Sequence, residues 1–269
     1  MIQILRWGQV PNSEIFSRIV PMANVEQAVA DTLADVKSRG DEAVLDYTLR
    51  FDGVSLETMA VSRQEMEEAM ASVEPEFLQV LNQAAQNIRA FHSRQVRNSF
   101  VLADQPGVVL GQKVTPIEKV GIYVPGGTAA YPSTVLMDTI PAKIAGCPQI
   151  VMVTPPGRDG RVPAPILAAA QIAGVDGVYK VGGAQAVAAL AYGTQSIPKV
   201  DKIVGPGNAY VAEAKKQVFG RVSIDMIAGP SEILIVADEK SSPVHVASDM
   251  LSQAEHDRLA SAVLVTHCE

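Results

Sequence analysis

Gln253 and His256 are the two residues of this sequence whose types and spacing best suit the binding of a metal ion. They lie three positions apart in the segment HVASDMLSQAEH, and side chains at this spacing share one face of a helix. Asp249 lies on the same stripe and could orient the pair as a hydrogen-bond acceptor. Zinc usually takes three or four protein ligands, so the pair predicts only part of a zinc site. A solvated polar helix face is the alternative interpretation.

Three glycine-containing turns form a second group of candidates: PGG at 125–127, GGAQA at 182–186 and GPGNAY at 205–210. Each follows a short apolar run and precedes a helical pattern, and in parallel sheets ligands bind beyond the carboxyl ends of the strands. Glycine permits close approach of the backbone, and a helix N-terminus favours an anion. None of the turns matches GxGxxG or a Walker loop. Singly each could be a plain tight turn, but together they predict a shared crevice for a cofactor.

The segment AGPSE at 228–232 precedes another apolar run. Ser231 offers a hydroxyl group and Glu232 a carboxylate, both of which could contact a polar substrate. A turn built around Pro230, with no binding role, explains the same residues equally well.

The order of apolar and polar residues predicts the elements that carry these candidates. Up to about residue 98 the pattern is helical, and between 100 and 120 it changes to short strands and a hairpin. From 121 onward, short apolar runs alternate with helical segments, which indicates parallel strands with helices on both faces. The predicted fold is therefore α/β, with Rossmann-like parallel sheets preceded by a helical N-terminal segment. The predicted strands lie at 121–124, 150–153, 178–181, 202–205, 233–236 and 262–265, and the helices among them at 133–145, 163–173, 184–192, 207–218 and 243–257.

Three parts follow from this pattern. Residues 1–120 form the helical segment and the first part of an α/β domain, 121–232 form a Rossmann-like cofactor-binding domain, and 233–269 return into the first α/β domain. Within the first part, Ser62 and Glu65 have the spacing of a capping box for a helix. Further helices are predicted at 25–39, 40–53 and 75–95.

Composition narrows the class of protein. The chain has 269 residues, 48% of them hydrophobic, and a formal net charge of −7, with no run of basic residues to match a nucleic-acid backbone. No apolar run reaches the length of a membrane span, and the N-terminus lacks the pattern of a signal peptide. Cys147 and Cys268 are too few for a disulfide framework. We therefore expect a cytoplasmic protein that binds neither nucleic acid nor membranes.

Five runs of sequence carry a resemblance to a known family. They are GIYVPGGTAAYPSTVLM at 121–137, KVGGAQAVAALAYGT at 180–194, KIVGPGNAYVAEAK at 202–215, IDMIAGPSE at 224–232 and DMLSQAEH at 249–256. Their motifs, order and spacing resemble those of histidinol dehydrogenases. The resemblance implies a homodimeric, zinc-dependent enzyme of histidine biosynthesis, which oxidises L-histidinol to L-histidine through a bound aldehyde with NAD as hydride acceptor.

The resemblance also implies roles for individual residues. Tyr123, Gln185 and Asn208 would contact NAD. Ser231 would contact the substrate, and Gln253 and His256 would bind zinc and, through the zinc, the substrate.

The family pattern includes an aspartate and a histidine that complete the zinc site, and a glutamate–histidine pair that moves protons. All four are expected beyond Glu269, so no catalytic residue is assigned within this sequence. On this basis we expect the chain to be incomplete and inactive alone. A non-catalytic NAD-binding fragment, or one part of a split enzyme, is the alternative.

Overall fold

The computed structural model describes residues 3–15, 25–126, 130–227, 232–255 and 260–268. The helices are α1 (Asn12–Ile15), α2 (Glu26–Arg39), α3 (Asp41–Asp52), α4 (Arg63–Ser72), α5 (Pro75–His92), α6 (Pro132–Ile144), α7 (Ala164–Ala173), α8 (Gly183–Tyr192), α9 (Ala209–Val218) and α10 (Pro243–Ala254). The strands are β1 (Phe100–Gln105), β2 (Val108–Gln112), β3 (Lys119–Tyr123), β4 (Gln149–Thr154), β5 (Gly177–Lys180), β6 (Lys202–Val204), β7 (Ser223–Ile224), β8 (Glu232–Ala237) and β9 (Ser261–Thr266).

The chain divides into two compact units. The large unit is Val25–Gly229, and the small unit combines Met1–Asn24 with Pro230–Glu269. The division predicted from the sequence, at residues 120 and 232, stays a prediction. Among the described residues, no helix is both long and apolar enough to cross a membrane.

A five-stranded parallel sheet organises the large unit, in the order β5-β4-β3-β6-β7. The chain first moves outward from β3 to β4 and β5, and then returns to the other side of β3 to add β6 and β7. The direction therefore reverses between β3 and β6, and ligands of open α/β sheets bind at this switch point, beyond the carboxyl ends of the strands. The predicted α/β class is confirmed.

Helices cover both faces of this sheet because side chains alternate along each strand. On β4, Ile150 and Met152 belong to one buried apolar cluster, whereas Val151 and Val153 belong to the other. Helices α2 and α8 contribute to the cluster on the face of Val151, and helices α6 and α7 contribute to the opposite one. Strands buried on both sides read as continuous apolar runs, and this property made them recognisable in the sequence.

Local signals set the ends of the first helices as predicted. Ser62 Oγ accepts a hydrogen bond from Glu65 N at 3.1 Å, and Glu65 Oε2 accepts one from Ser62 N at 2.8 Å, which completes the capping box at the start of α4. Helix α3 ends at Gly53, whose φ of 71° lies in the left-handed region that glycine adopts without strain. The predicted hairpin is the antiparallel pair β1–β2.

The small unit contains a parallel pair of strands joined by a helix. Strand β8 pairs with β9 from Glu232↔Ser261 to Ala237↔Thr266, and α10 connects them. Helix α10 has no buried residue, and Leu234, Val236 and Leu251 are exposed. This arrangement leaves apolar side chains of the small unit in contact with solvent.

Candidate functional site

The turn that follows β6 lies against the end of β3 at the switch point of the large sheet. Gly205 is the first residue after β6 and has a φ of +113°, and a methyl group there would collide with the carbonyl oxygen of Tyr123 at the end of β3. Only glycine fits both this backbone conformation and this approach. The GPGN turn therefore lies directly against the end of the neighbouring strand.

Tyr123 links the end of β3 to the start of α8. Its phenol oxygen accepts a hydrogen bond from Gly183 N at 3.0 Å, and the side chain is buried. Burial raises the pKa of the Tyr123 hydroxyl to about 12, with the charge of Asp52 acting in the same direction, while the hydrogen bond from Gly183 partly opposes the rise. The phenol is therefore a neutral donor at physiological pH.

Gln185 is also buried, with 1% of its surface exposed. Its side chain folds back over the beginning of its own helix, so that a methyl group on Gly183 would lie 2.6 Å from Gln185 Oε1. Gly183 has a φ of +67°, which again requires glycine. Tyr123 and Gln185, two of the predicted NAD contacts, thus converge on the same backbone position.

Asn208 caps helix α9. Its Oδ1 atom accepts hydrogen bonds from Tyr210 N and Val211 N, both at 3.1 Å. The carboxamide therefore occupies the helix N-terminus where the sequence predicted free N–H groups for an anion. The Nδ2 group of Asn208 remains as a hydrogen-bond donor, and the residue is exposed.

Three ionisable residues lie next to the GPGN turn, and no motif in the sequence singled them out. Lys215 is buried in α9, donates a hydrogen bond from Nζ to Gly205 O at 2.8 Å and forms an ion pair with Asp225. Asp225 Oδ2 accepts a hydrogen bond from Gly205 N at 2.8 Å. A lysine on the apolar stripe of a helix is the signal that could have identified this cluster.

Asp138, on α6, is the third member. Burial, followed by the charge of Asp225, raises its carboxyl pKa to about 7, although Lys215 acts in the opposite direction. Its Oδ2 atom is buried without a hydrogen-bond partner among the described residues, and it would lie 3.2 Å from a methyl group on Gly205.

A cavity of about 230 Å³ opens in the large unit, next to the carboxyl ends of β3 and β4. Pro125, Gly126 and Pro155 line it, together with Asp52 at the end of α3. Asp52 Oδ2 is buried and lacks a hydrogen-bond partner within the described part of the chain, and burial raises the carboxyl pKa. Asp52 was not predicted from the sequence, because it lies at the end of α3 and outside the three glycine turns that follow the strands.

The predicted metal and substrate residues Ser231, Gln253 and His256 belong to the segment of the chain assigned to the small unit. Gln253 lies on α10 in the small unit and is half-buried, while Asp249 on the same helix is exposed. Helix α10 ends at Ala254, three residues before the predicted end at 257. His256 and Ser231 lie outside the described residues, so their roles stay predictions.

Three potential metal ligands of the small unit lie close to one another after β8 and β9. The ligand atoms of Glu239, His267 and Cys268 are all within 4.8 Å of one another. His267 Nε2 lies 2.8 Å from Glu239 Oε2, and both side chains are largely exposed. About ten helical residues separate this group from Gln253, or roughly 15 Å at the rise of an α-helix. A metal bound by Gln253 would therefore occupy a different position.

Comparison with known proteins assigns a family to this arrangement. The family model described as histidinol dehydrogenase matches residues 18–269. A histidinol dehydrogenase of Geobacillus kaustophilus is 58% identical over 240 residues, which are 89% of this chain and 57% of that protein. One from Clostridium acetobutylicum is 51% identical over 271 residues, covering 99% of this chain and 63% of that protein.

A solved structure agrees with these relatives. The crystal structure of histidinol dehydrogenase from Elizabethkingia anophelis has a TM-score of 0.89 and 42% identity, and the match covers 97% of this chain and 61% of that chain. The present chain thus spans less than two thirds of the length of each of these three proteins.

Proposed function

Because the chain belongs to the histidinol dehydrogenase family, we propose that it supplies the NAD-binding residues, and part of the zinc and substrate site, for the oxidation of L-histidinol to L-histidine. This reaction passes through an aldehyde and belongs to histidine biosynthesis. When bound, NAD supplies the hydride acceptor, and zinc supplies a Lewis acid that can hold the nitrogen atoms of histidinol.

One observation carries the NAD proposal, namely that Tyr123, at the end of β3, contacts both the turn after β6 and the start of the helix after β5. Tyr123 O lies against Gly205, and the Tyr123 hydroxyl contacts Gly183 at the start of the helix that carries Gln185. A dinucleotide needs polar donors beside a closely approachable backbone, and the donor Nδ2 of Asn208 fits this need. Tyr123 and Gln185 would contact NAD as the resemblance implies, and the Tyr123 phenol can still donate its proton to an acceptor.

The proposal for zinc rests on the chemistry of the donor set. His256 offers an imidazole nitrogen, which is a common zinc ligand, and Gln253 offers a carboxamide oxygen. The hydroxyl of Ser231 would hold a polar group of histidinol and thereby orient the substrate. The protein would act as a cytoplasmic homodimer, and light scattering of the purified protein tests the dimer.

NAD binding can be tested with the present chain by measuring its melting temperature with and without NAD. A ligand that binds only the folded state raises this temperature, and the rise increases with the logarithm of the ligand concentration above the dissociation constant. Asn208→Asp is the informative variant, because a carboxylate keeps the acceptor that caps α9 but replaces the Nδ2 donor with a negative charge. We expect an NAD-dependent rise in the parent and none in Asn208→Asp, with equal melting temperatures of the two proteins in the absence of NAD.

Asn208→Ala serves as the companion variant, since it removes both the cap and the donor. Its melting temperature without NAD should fall, by the equivalent of about 1 kcal/mol. A parent chain that shows no rise at saturating NAD would refute the proposal, as would an undiminished rise in Asn208→Asp.

A non-catalytic NAD-binding role, alone or as one part of a split enzyme, is the second candidate. It is favoured because the predicted NAD contacts Tyr123, Gln185 and Asn208 all belong to the large unit, whereas Gln253 belongs to the small unit. Formation of NADH from histidinol and NAD distinguishes the two candidates: we expect none from this chain alone, and measurable turnover by the purified chain would favour the complete enzyme activity instead.

A further inference from the structure

Lys215 is a lysine inside the apolar stripe of helix α9, together with Val211 and Val218. Only 2% of its side chain is exposed. A lysine in such a position must satisfy its ammonium group within the protein, because an unpaired buried charge is strongly destabilising. Lys215 does so by reaching back ten residues along the chain, where Nζ donates a hydrogen bond to Gly205 O at 2.8 Å.

Asp225 also holds Gly205, and we call Lys215 and Asp225 together the clamp. It directly follows β7 and forms an ion pair with Lys215. Its Oδ2 atom accepts a hydrogen bond from Gly205 N at 2.8 Å. The ion pair therefore engages both the N–H and the C=O group of Gly205, and it ties the end of β6 to β7 and to α9.

The clamp lies at the position where the sheet reverses direction. Gly205 is in contact with the end of β3 through the carbonyl oxygen of Tyr123, and Asn208 begins α9 three residues later. The turn from 205 to 208 therefore has one fixed end at the clamp and another at the helix cap. A displaced Gly205 would move the whole turn relative to β3.

We propose that Lys215 and Asp225 are positioning residues for NAD binding, which hold the turn 205–208, and with it Asn208, in the geometry that receives the dinucleotide. This inference rests on the proposed NAD-binding function and assigns to it two residues that do not themselves contact NAD. Stability alone is a weak reason for such a pair, because apolar residues of similar volume often stabilise a protein as well as a buried ion pair does. A pre-organised binding loop, by contrast, depends on a fixed geometry.

The test compares the parent chain with Lys215→Met and with the double variant Lys215→Met/Asp225→Asn. Methionine keeps the length and apolar stem of lysine, and the double variant leaves no unpaired charge in the clamp, so it should fold even if the single variant does not. Lys216→Met is the matched control, because Lys216 lies next in the same helix, has a side chain that is 53% exposed, and pairs with Glu213.

A second control distinguishes a displaced turn 205–208 from a general loss of protein stability. Leu81 on α5 is buried in the apolar cluster on the other face of the sheet, and Leu81→Ala should lower the melting temperature without affecting the turn. Two quantities are measured for every protein: the dissociation constant of NAD by calorimetry, and the hydrogen-exchange rate of the peptide that spans 203–211.

We expect the double variant to bind NAD roughly tenfold or more weakly, since small misplacements of a binding group have effects of at least this size. Exchange in peptide 203–211 should become faster, while Lys216→Met and Leu81→Ala leave both quantities unchanged. Unchanged exchange and unchanged NAD affinity in the double variant would overturn the inference. Equal losses of NAD affinity in the double variant and in Leu81→Ala would also overturn it, because they would show that the clamp affects NAD binding only through the stability of the protein.

Failure of the proposed function is recognised separately. If the parent chain binds no NAD, the proposed function fails, and the hydrogen-exchange comparison still decides whether the pair holds the turn. If the parent binds NAD and the double variant binds it equally well, the proposed function stands and the positioning role is refuted.

Discussion

Replacement of Asp138 by asparagine should change how the stability of the protein depends on pH. Asp138 is half-buried near Asp225, its Oδ2 atom is buried and unpaired among the described residues, and its pKa is raised from 3.8 to about 7. Asparagine has nearly the same shape and carries no charge at any pH. The substitution therefore removes the ionisation while keeping the packing.

The sign of the effect follows from where the proton binds. In the unfolded chain Asp138 ionises near 3.8, whereas in the folded protein it keeps its proton up to about pH 7. Between these values the folded state binds more protons, so the free energy of unfolding decreases as the pH rises and becomes constant above the folded pKa. Each pKa unit corresponds to about 1.4 kcal/mol, so the full decrease across this range is at most about 4 kcal/mol. Most of it should be visible between about pH 5 and pH 7.

Urea unfolding, followed by far-ultraviolet circular dichroism, gives the free energy of unfolding of both proteins at several pH values. We expect Asp138→Asn to be more stable than the parent at about pH 8, and the difference to shrink steadily toward about pH 4. Asp104→Asn, on the exposed strand β1, is the control and should follow the parent at every pH. A difference between Asp138→Asn and the parent that is the same at acidic and alkaline pH would refute the reasoning.

Three further predictions test other parts of the structure. Gly205→Ala should weaken NAD binding, measured by calorimetry, and lower the melting temperature, measured by thermal unfolding. The added methyl group would collide with the end of β3, and alanine does not tolerate a φ of +113°. Ser62→Ala should lower the free energy of unfolding by about 1 kcal/mol in urea titrations, since it removes the acceptor of the capping box. If Gln253 and His256 bind Co²⁺, its absorption spectrum should show no sulfur-to-cobalt charge-transfer band, because neither side chain contains sulfur. A band that disappears in Cys268→Ser would place the metal after β9 instead.

The elements of the large unit could be predicted because their signals are local. Strands β3 to β6 are short apolar runs between glycine turns, and the alternation of their side chains between two apolar clusters explains why no polar residue interrupts them. Strand β7 was missed, since its two residues, Ser223 and Ile224, are too few to form a pattern. The helix at the end of the chain was predicted to reach 257 but ends at Ala254, because a polar stripe indicates a helix face without specifying where the helix stops.

The contacts within the candidate site could not be predicted from local sequence patterns. The glycine turns and the family motifs predict Tyr123, Gln185 and Asn208 as NAD contacts, and these roles stay predictions. No local pattern predicts that the first two are buried around Gly183 while the third is exposed. Burial of a polar side chain depends on the partner that satisfies it, and that partner comes from a distant part of the chain.

The clamp at Gly205 illustrates what a sequence can and cannot indicate. Lys215 shares the apolar stripe of α9 with Val211 and Val218, and this placement alone predicts a buried acceptor somewhere in the fold. The structure provides two acceptors for the Lys215 ammonium group. One is the carboxylate of Asp225, which lies after β7, and the other is the carbonyl group of Gly205, which lies after β6. Both come within reach only because the sheet places β6 between β3 and β7. A charged residue on an apolar stripe therefore indicates that the fold contains a buried acceptor for it, and the strand order determines where that acceptor lies.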